Sequence, residues 1–175
     1  PEATLKIIGG GPRERELTTR MLQLGLGQRI AWTGRLPFAR VRAEMQTCRI
    51  GVAPIRSTGG PEKRFYASPL KLIEWMGAGV PVVAAAVPSV TQPLEGRTVA
   101  QLFEPDNAGA LAQAMRELLA DEQEQQRLRA EGFESARQNA YPRRAGKIVG
   151  LVAETQGQSK GREGLRKNST RMNAD

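Results

Sequence analysis

The sequence predicts an α/β chain on a parallel sheet, and three observations carry that prediction. Short apolar runs recur at residues 3–8, 28–33, 50–54, 81–86 and 99–103, and helical periodicity follows most of them. Glycine or proline closes the runs, as strand-to-helix turns require. One run, Pro81-Val82-Val83-Ala84-Ala85, is unbroken, which is how a strand covered on both faces reads. Strand–helix alternation of this kind gives crossover connections and a layered fold.

Residues 3–8 form the first strand, interrupted by Lys6 and closed at once by Gly9-Gly10-Gly11-Pro12. A charged stretch bearing Leu17, Met21 and Leu24 follows as a helix. GGGPRE lacks the third spaced glycine of the dinucleotide fingerprint, so it reads equally well as a plain tight turn. Ile30, Ala31 and Trp32 make the second strand, ended by Gly34. Beyond the Arg35-Leu36-Pro37 loop, Phe38, Val41, Met45 and Cys48 mark one helix face. Cys48 is the single cysteine, cannot form an internal disulfide, and reads as a core thiol. Residues 50–54 form a third, buried strand, and the loop 55–67, with Ser57, Thr58, Gly59, Gly60 and Pro61, is placed to cover a ligand.

The next stretch, SPLKLIEWMGAGVPVV at 68–83, organises the chain. Ser68 can cap a helix whose first turn accepts Pro69, Leu70, Ile73 and Met76 share one face, and Gly77 and Gly79 end it. Its first amides, at 69–72, can point at an anion that the helix dipole favours. Glu74 is the only carboxylate on this helix; it either complements the dipole or grips hydroxyls, as acidic residues grip ribose in dinucleotide folds. Lys71 either neutralises phosphate or lies on the surface. Diphosphate and ribose together describe a nucleotide.

A short helix or turn is expected over 88–95 and a fifth strand over 99–103. Asn107 then caps a helix with Leu111, Met115, Leu118 and Leu119. Asp121 opens a charged helix to about Ala140 whose wide polar face reads as a solvated outer helix, and 141–154 closes the fold with Ile148, Val149 and Val152. The division is therefore a Rossmann-like doubly wound domain, 1–155, and a basic tail, 156–175, whose polar composition predicts disorder.

Composition sets further bounds. The 175 residues suit one domain, not two full Rossmann domains. The net charge is +8; the tail holds five basic and two acidic residues, leaving +5 for the rest. No aromatic-basic interleaving supports nucleic-acid binding. No apolar run approaches the roughly 20 residues of a membrane span, and no signal peptide is visible, so a cytoplasmic place is expected. There is no histidine, so any acid, base or metal ligand of that type must come from elsewhere.

The stretch around Glu74 resembles the donor-binding motif of the retaining glycosyltransferases called group 1, or family 4, which have the GT-B fold. In that motif a glutamate, seven residues and a second glutamate precede a small-residue turn and a Pro-Val-Val strand. Glu74 matches the second glutamate, and Tyr66 stands at the first. A subset reading Tyr-x-Ser-Pro-Leu-Lys-Leu-x-Glu-x-Met is matched by Tyr66, Ser68, Pro69, Leu70, Lys71 and Glu74. Gly9 to Pro12 is similar to the family's Gly-x-Gly-Pro, and the loop at Leu36 to one whose backbone contacts the nucleobase.

The resemblance implies a hexosyltransferase-type enzyme that moves sugar from a nucleoside-diphosphate sugar. Its donor contacts would come from Gly10, Leu36, Tyr66, Ser68, Pro69, Leu70, Lys71 and Glu74. It implies no certain catalytic residue in this segment, no metal, and no cofactor beyond the donor substrate itself. The acceptor, a glycan or lipid-linked molecule, would be held by another Rossmann domain, and the basic surface would suit the cytoplasmic face of an anionic membrane. The alternative is a degenerate GT-B module used for binding or complex formation, which Tyr66 favours.

The match begins at the family's second strand of this domain. The first, central strand of the order 3-2-1-4-5-6 is thus expected to be absent, together with the arginine and lysine that clamp the diphosphate. The strands at Leu5 and Gly51 must then pair directly or leave backbone groups unpaired, and marginal stability and no activity are expected of this segment alone.

Overall fold

The computed structural model describes residues 3–56, 70–91, 98–140, 145–146 and 148–152. The named elements are β1 (Leu5–Ile7), α1 (Glu14–Gln23), β2 (Ile30–Trp32), α2 (Phe38–Gln46), β3 (Gly51–Ala53), α3 (Leu70–Gly77), β4 (Val82–Ala85), α4 (Pro88–Thr91), β5 (Gln101–Phe103), α5 (Ala108–Ala120) and α6 (Glu122–Gln138). Strand and helix alternate along the chain, and every strand pair in the two sheets is parallel.

Those strands form two sheets, β1-β2 and β3-β4-β5. Leu5, Lys6 and Ile7 lie opposite Ile30, Ala31 and Trp32; Gly51, Val52 and Ala53 lie opposite Val82, Val83 and Ala84. Leu5 N–H donates to Arg29 O at 2.8 Å and Ile7 O accepts from Thr33 N–H at 3.0 Å. Residues 5 and 7 therefore face β2, and the backbone groups of Lys6 point away from it. Gly51 N–H likewise donates to Pro81 O at 2.8 Å, which turns the backbone groups of Val52 away from β4. Of the two expected alternatives, direct pairing does not occur. The sheets supply positions 3-2 and 4-5-6 of the doubly wound order, and no described strand fills position 1.

The core sits on the second sheet. All four residues of β4 are buried, with helices on both faces, as the apolar run requires. Helix α3 lies between this sheet and α6, so more of its circumference is covered than one stripe. Leu72 is fully buried and Met76 nearly so, whereas Leu70 is 39% exposed. The expected face of Leu70, Ile73 and Met76 is thus corrected to Leu72 and Met76, with Ile73 and Trp75 partly buried beside them. Gly79 ends the turn after α3 at φ +75°, a left-handed conformation that favours glycine.

Helix α6 is not simply an outer helix. Leu128, Gly132, Ser135 and Ala136 are buried, and a Cβ added to Gly132 would lie 3.1 Å from Met76 Cγ. Small residues let α6 approach α3 closely, a device that counting polar residues does not reveal. Buried Gln125 is satisfied by donating from Nε2 to Leu118 O at 2.7 Å. The expected Asn107 cap forms, its Oδ1 accepting from Ala110 N–H at 2.9 Å, and Asp121, at the expected opening of the next helix, caps α6, its Oδ1 accepting from Glu124 N–H at 2.8 Å.

The first sheet is covered more thinly. Helix α1 has no buried residue, so the expected apolar face of Leu17, Met21 and Leu24 does not pack shut. On α2 Met45 is buried and Val41 half-buried, but Phe38 is 80% exposed. Cys48 lies just past the helix, half-buried, its Sγ 3.5 Å from Glu44 O. Met45, Ala78 and Val80 form a small second cluster, with Ile8, Val41 and Trp75 packed against it, which joins the two regions. Residues 148–152 are helical, and Ile148, Val149 and Val152 are exposed there rather than packed. The expected tail, 156–175, lies outside the described residues.

Candidate functional site

In parallel α/β sheets the chain leaves each strand at its carboxyl end, and ligands bind where connections on either side run in opposite directions. Here that reversal falls between β1, whose next neighbour is β2, and β3, whose next neighbour is β4. The glycine turn leaves β1, and the loop to α3 leaves β3. Helices α1 and α3 therefore both begin on the carboxyl side of the strands that flank the reversal.

The turn after β1 is built by local geometry. Gly9 has φ +125° and pairs with Gly34, itself at φ +67°, its N–H donating to Gly34 O at 2.8 Å. Trp32 Nε1–H donates to Gly9 O at 2.7 Å, and Thr33 Oγ1 lies 3.1 Å from Gly34 O. Gly10 is exposed, and a Cβ there would sit 3.0 Å from Glu14 Oε2 and 3.9 Å from Arg35 Cγ. Leu36 follows Arg35, half-buried, so Gly10 and the Leu36 loop lie at adjacent strand ends.

Across the reversal, α3 carries the other described candidates. Leu70 and Lys71 are exposed in its first turn, and Glu74 is partly exposed one turn on. Lys71 Nζ lies 3.0 Å from Glu74 Oε2, with side chains 76% and 36% exposed. A pair this open contributes about 0–1 kcal/mol, so turning either group to a ligand costs little. The start of the helix is not packed shut. Tyr66, Ser68 and Pro69, and the covering loop from Ser57 on, lie outside the described residues.

Two features escaped the sequence reading. One is the indole clamp on Gly9, for which the only signal was a tryptophan ending a strand before Thr-Gly. The other joins the carboxyl ends of β3 and β5: Arg56 Nε stands 3.5 Å from Asp106 Oδ1, and Asp106 adopts φ 58°. Aspartate tolerates that left-handed conformation better than most residues, and nothing in the spacing announced it. An open concavity of about 900 Å3 along α1, lined by Arg13, Glu16 and Arg20 among others, includes none of the candidates. Among the described residues no acidic, histidine or cysteine cluster is suited to a metal ion, and no helix is long and apolar enough to cross a membrane.

Fold and edge geometry together define a Rossmann-like domain of the doubly wound class. Residues 1–121 match the family model described as Glycosyl transferases group 1, and the chain belongs to that family. It is 30% identical over 110 residues to WcaL of Escherichia coli (strain K12), provisionally named a colanic acid biosynthesis glycosyltransferase; the match covers 63% of this chain and 27% of WcaL. Among solved structures, HepE of Anabaena in complex with UDP and glucose superposes with a TM-score of 0.70 at 21% identity, over 90% of this chain and 41% of HepE. Sucrose-phosphate synthase of Thermosynechococcus elongatus gives 0.66 at 21%, over 87% and 39%. The C-terminal domain of the group 1 protein LpcC of Francisella tularensis gives 0.60 at 20%, over 75% and 67%. The fold is that of a GT-B C-terminal domain, and the chain spans about a quarter of the length of its curated relative.

Proposed function

We propose that this chain is the donor-binding portion of a retaining, hexosyltransferase-type glycosyltransferase that moves sugar from a nucleoside-diphosphate sugar to an acceptor. One observation carries the reading: α1 and α3 both start on the carboxyl side of the two strands that flank the reversal, with a glycine turn before one and Glu74 on the other. Family membership supports it, and so do the HepE structures, solved in complex with UDP, with UDP and glucose, and with UDP-glucose.

In this reading Glu74 accepts hydrogen bonds from the ribose hydroxyls, and the Leu36 backbone faces the base. Gly10, the first turn of α3 and Lys71 face the diphosphate, while Ser68, Pro69 and Tyr66 take the places the family motif gives them. The bond from sugar C1 to the diphosphate oxygen breaks. The acceptor oxygen then bonds C1 on the same face, its proton leaving with the diphosphate. Helix ends and lysine stabilise the charge that develops on the leaving group. The donor is the substrate, and the reading calls on Lys71 and the helix ends, with no cofactor or metal, to stabilise its leaving group. The acceptor, glycan or lipid-linked, would be held by another domain, at the cytoplasmic face of a membrane. Nucleic acid is not a partner.

Tyr66 in place of the first motif glutamate favours one other reading, a degenerate module that binds without catalysis. Titrating the protein in its full natural length with uridine, guanosine and adenosine diphosphates separates them. A hydrogen bond to a charged group implies that Glu74→Ala weakens the preferred nucleotide by about tenfold or more. Affinity unchanged by Glu74→Ala would favour the degenerate module.

A further inference from the structure

Trp32 ends β2 half-buried, and its indole N–H reaches across to the Gly9 carbonyl at 2.7 Å, joining residues 23 apart in sequence. Gly9 sits at φ +125°, a region closed to side-chain-bearing residues, and nothing lies within 4 Å of a Cβ added to Gly9 or Gly11. A three-glycine turn has a large conformational entropy to lose, so a turn that only joined strand to helix would wander at no cost to the fold. This one is held. Its backbone bonds are Gly9 N–H to Gly34 O and Gly11 O from Glu14 N–H at 3.1 Å; the indole supplies a side-chain bond between them.

We propose that Trp32 is a positioning residue: its indole fixes the Gly9–Gly11 turn so that the turn's amides face the donor diphosphate in advance of binding. The inference rests on the donor-site reading above and adds to it a residue that touches no ligand. Holding a flexible segment in its bound form raises affinity by removing an ordering cost, and here the gain attaches to the phosphates, not the nucleoside.

The test compares full-length wild type, Trp32→Phe and Glu74→Ala, each titrated with the preferred nucleoside diphosphate and with its nucleoside alone. Loss of one ordinary hydrogen bond predicts that Trp32→Phe weakens the diphosphate by about two- to tenfold and leaves the nucleoside unchanged. Glu74→Ala weakens both. Equal losses for both ligands in Trp32→Phe, or none, overturn the inference while the Glu74→Ala result leaves the donor site standing. Wild type that binds none of the three nucleoside diphosphates overturns the site and the inference together. Should Trp32→Phe fail to fold, the unsubstituted protein decides by its Trp32 indole N–H resonance. That signal moves on adding diphosphate and stays on adding nucleoside; a signal indifferent to the diphosphate overturns the proposal.

Discussion

The chain holds two regions of the same strand–helix alternation kept together by different forces. From β3 onward the glue is apolar: β4 is buried along its whole length, and Leu72, Leu118 and Leu128 are almost wholly removed from water. From β1 through α2, Met45 is the one buried hydrophobic residue among the described ones, and polar contacts take over. Lys6 Nζ lies 2.7 Å from Glu44 Oε2 and 3.0 Å from Thr47 Oγ1, tying β1 to α2, and Trp32 ties β2 to the turn. Sheet width explains the contrast. A three-stranded sheet with helices on both faces has an interior strand, whereas in a two-stranded sheet every strand is an edge.

The contrast breaks most readily by deleting equal amounts of side chain from each region. Leu72→Ala leaves a cavity beneath α3 and is expected to cost about 2–5 kcal/mol. At this chain length that lowers the melting midpoint by about 4–20 °C. Leu22→Ala, on exposed α1, should stay within about 0.5 kcal/mol. Similar losses at both positions would mean that α1 is covered and that the two regions do not differ as described.

Trp75 sharpens the comparison because it packs against both clusters. Its ring lies over Gly51, where an added Cβ would fall 2.7 Å from Cγ and 2.8 Å from Cε3. Overpacking of this kind is expected to make Gly51→Ala cost about 1–3 kcal/mol. In a Trp75→Leu background the ring is gone, so the same change should cost much less, and a double-mutant cycle on thermal unfolding reads the difference. Strictly additive effects would show that β3 tolerates a side chain there and that the indole does not set the spacing.

Element existence was legible because alternation, caps and closing glycines are local signals. Asn107, Asp121 and Gly79 do what their positions suggested, and the order of the sheets follows from crossover rules. What was not legible is what lies on each helix. Leu70 and Leu17 look like core residues by period alone. Their exposure depends on which neighbours cover α3 and α1, and periodicity carries no information about a neighbour. The close approach of α6 to α3 through Gly132, the Trp75–Gly51 contact and the Trp32 clamp are pairings between distant residues, which spacing along one segment does not encode. Of the candidate residues, Gly10, Leu70, Lys71 and Glu74 lie on the segments that leave β1 and β3, the strands flanking the reversal, and Leu36 lies on the segment that leaves β2 beside them. That placement could be read in advance because glycine turns and helix starts fall at fixed points of a βα unit.

The smallest expected effect concerns the ionic tie of the first region. The hydrogen bond from Lys6, then its charge, holds the Glu44 carboxyl below its ordinary value; the bond to Glu44 and the Glu44 charge raise Lys6. A depressed carboxylate adds stability that is complete above its unfolded value of about 4.3 and lost as pH falls through the folded one. A raised lysine adds stability that is complete below about 10.4 and lost as pH rises through the folded value. The tie is therefore whole between those limits. Lys6→Met keeps the aliphatic stem and removes the charge. Its midpoint should sit slightly below wild type at about pH 7 and low salt, and the gap should shrink in acid as pH falls through the lowered folded value of Glu44. A gap that persists unchanged in acid and in high salt would assign the contribution of Lys6 to the packing of its methylenes. The first region would then be held, like the second, by apolar contact.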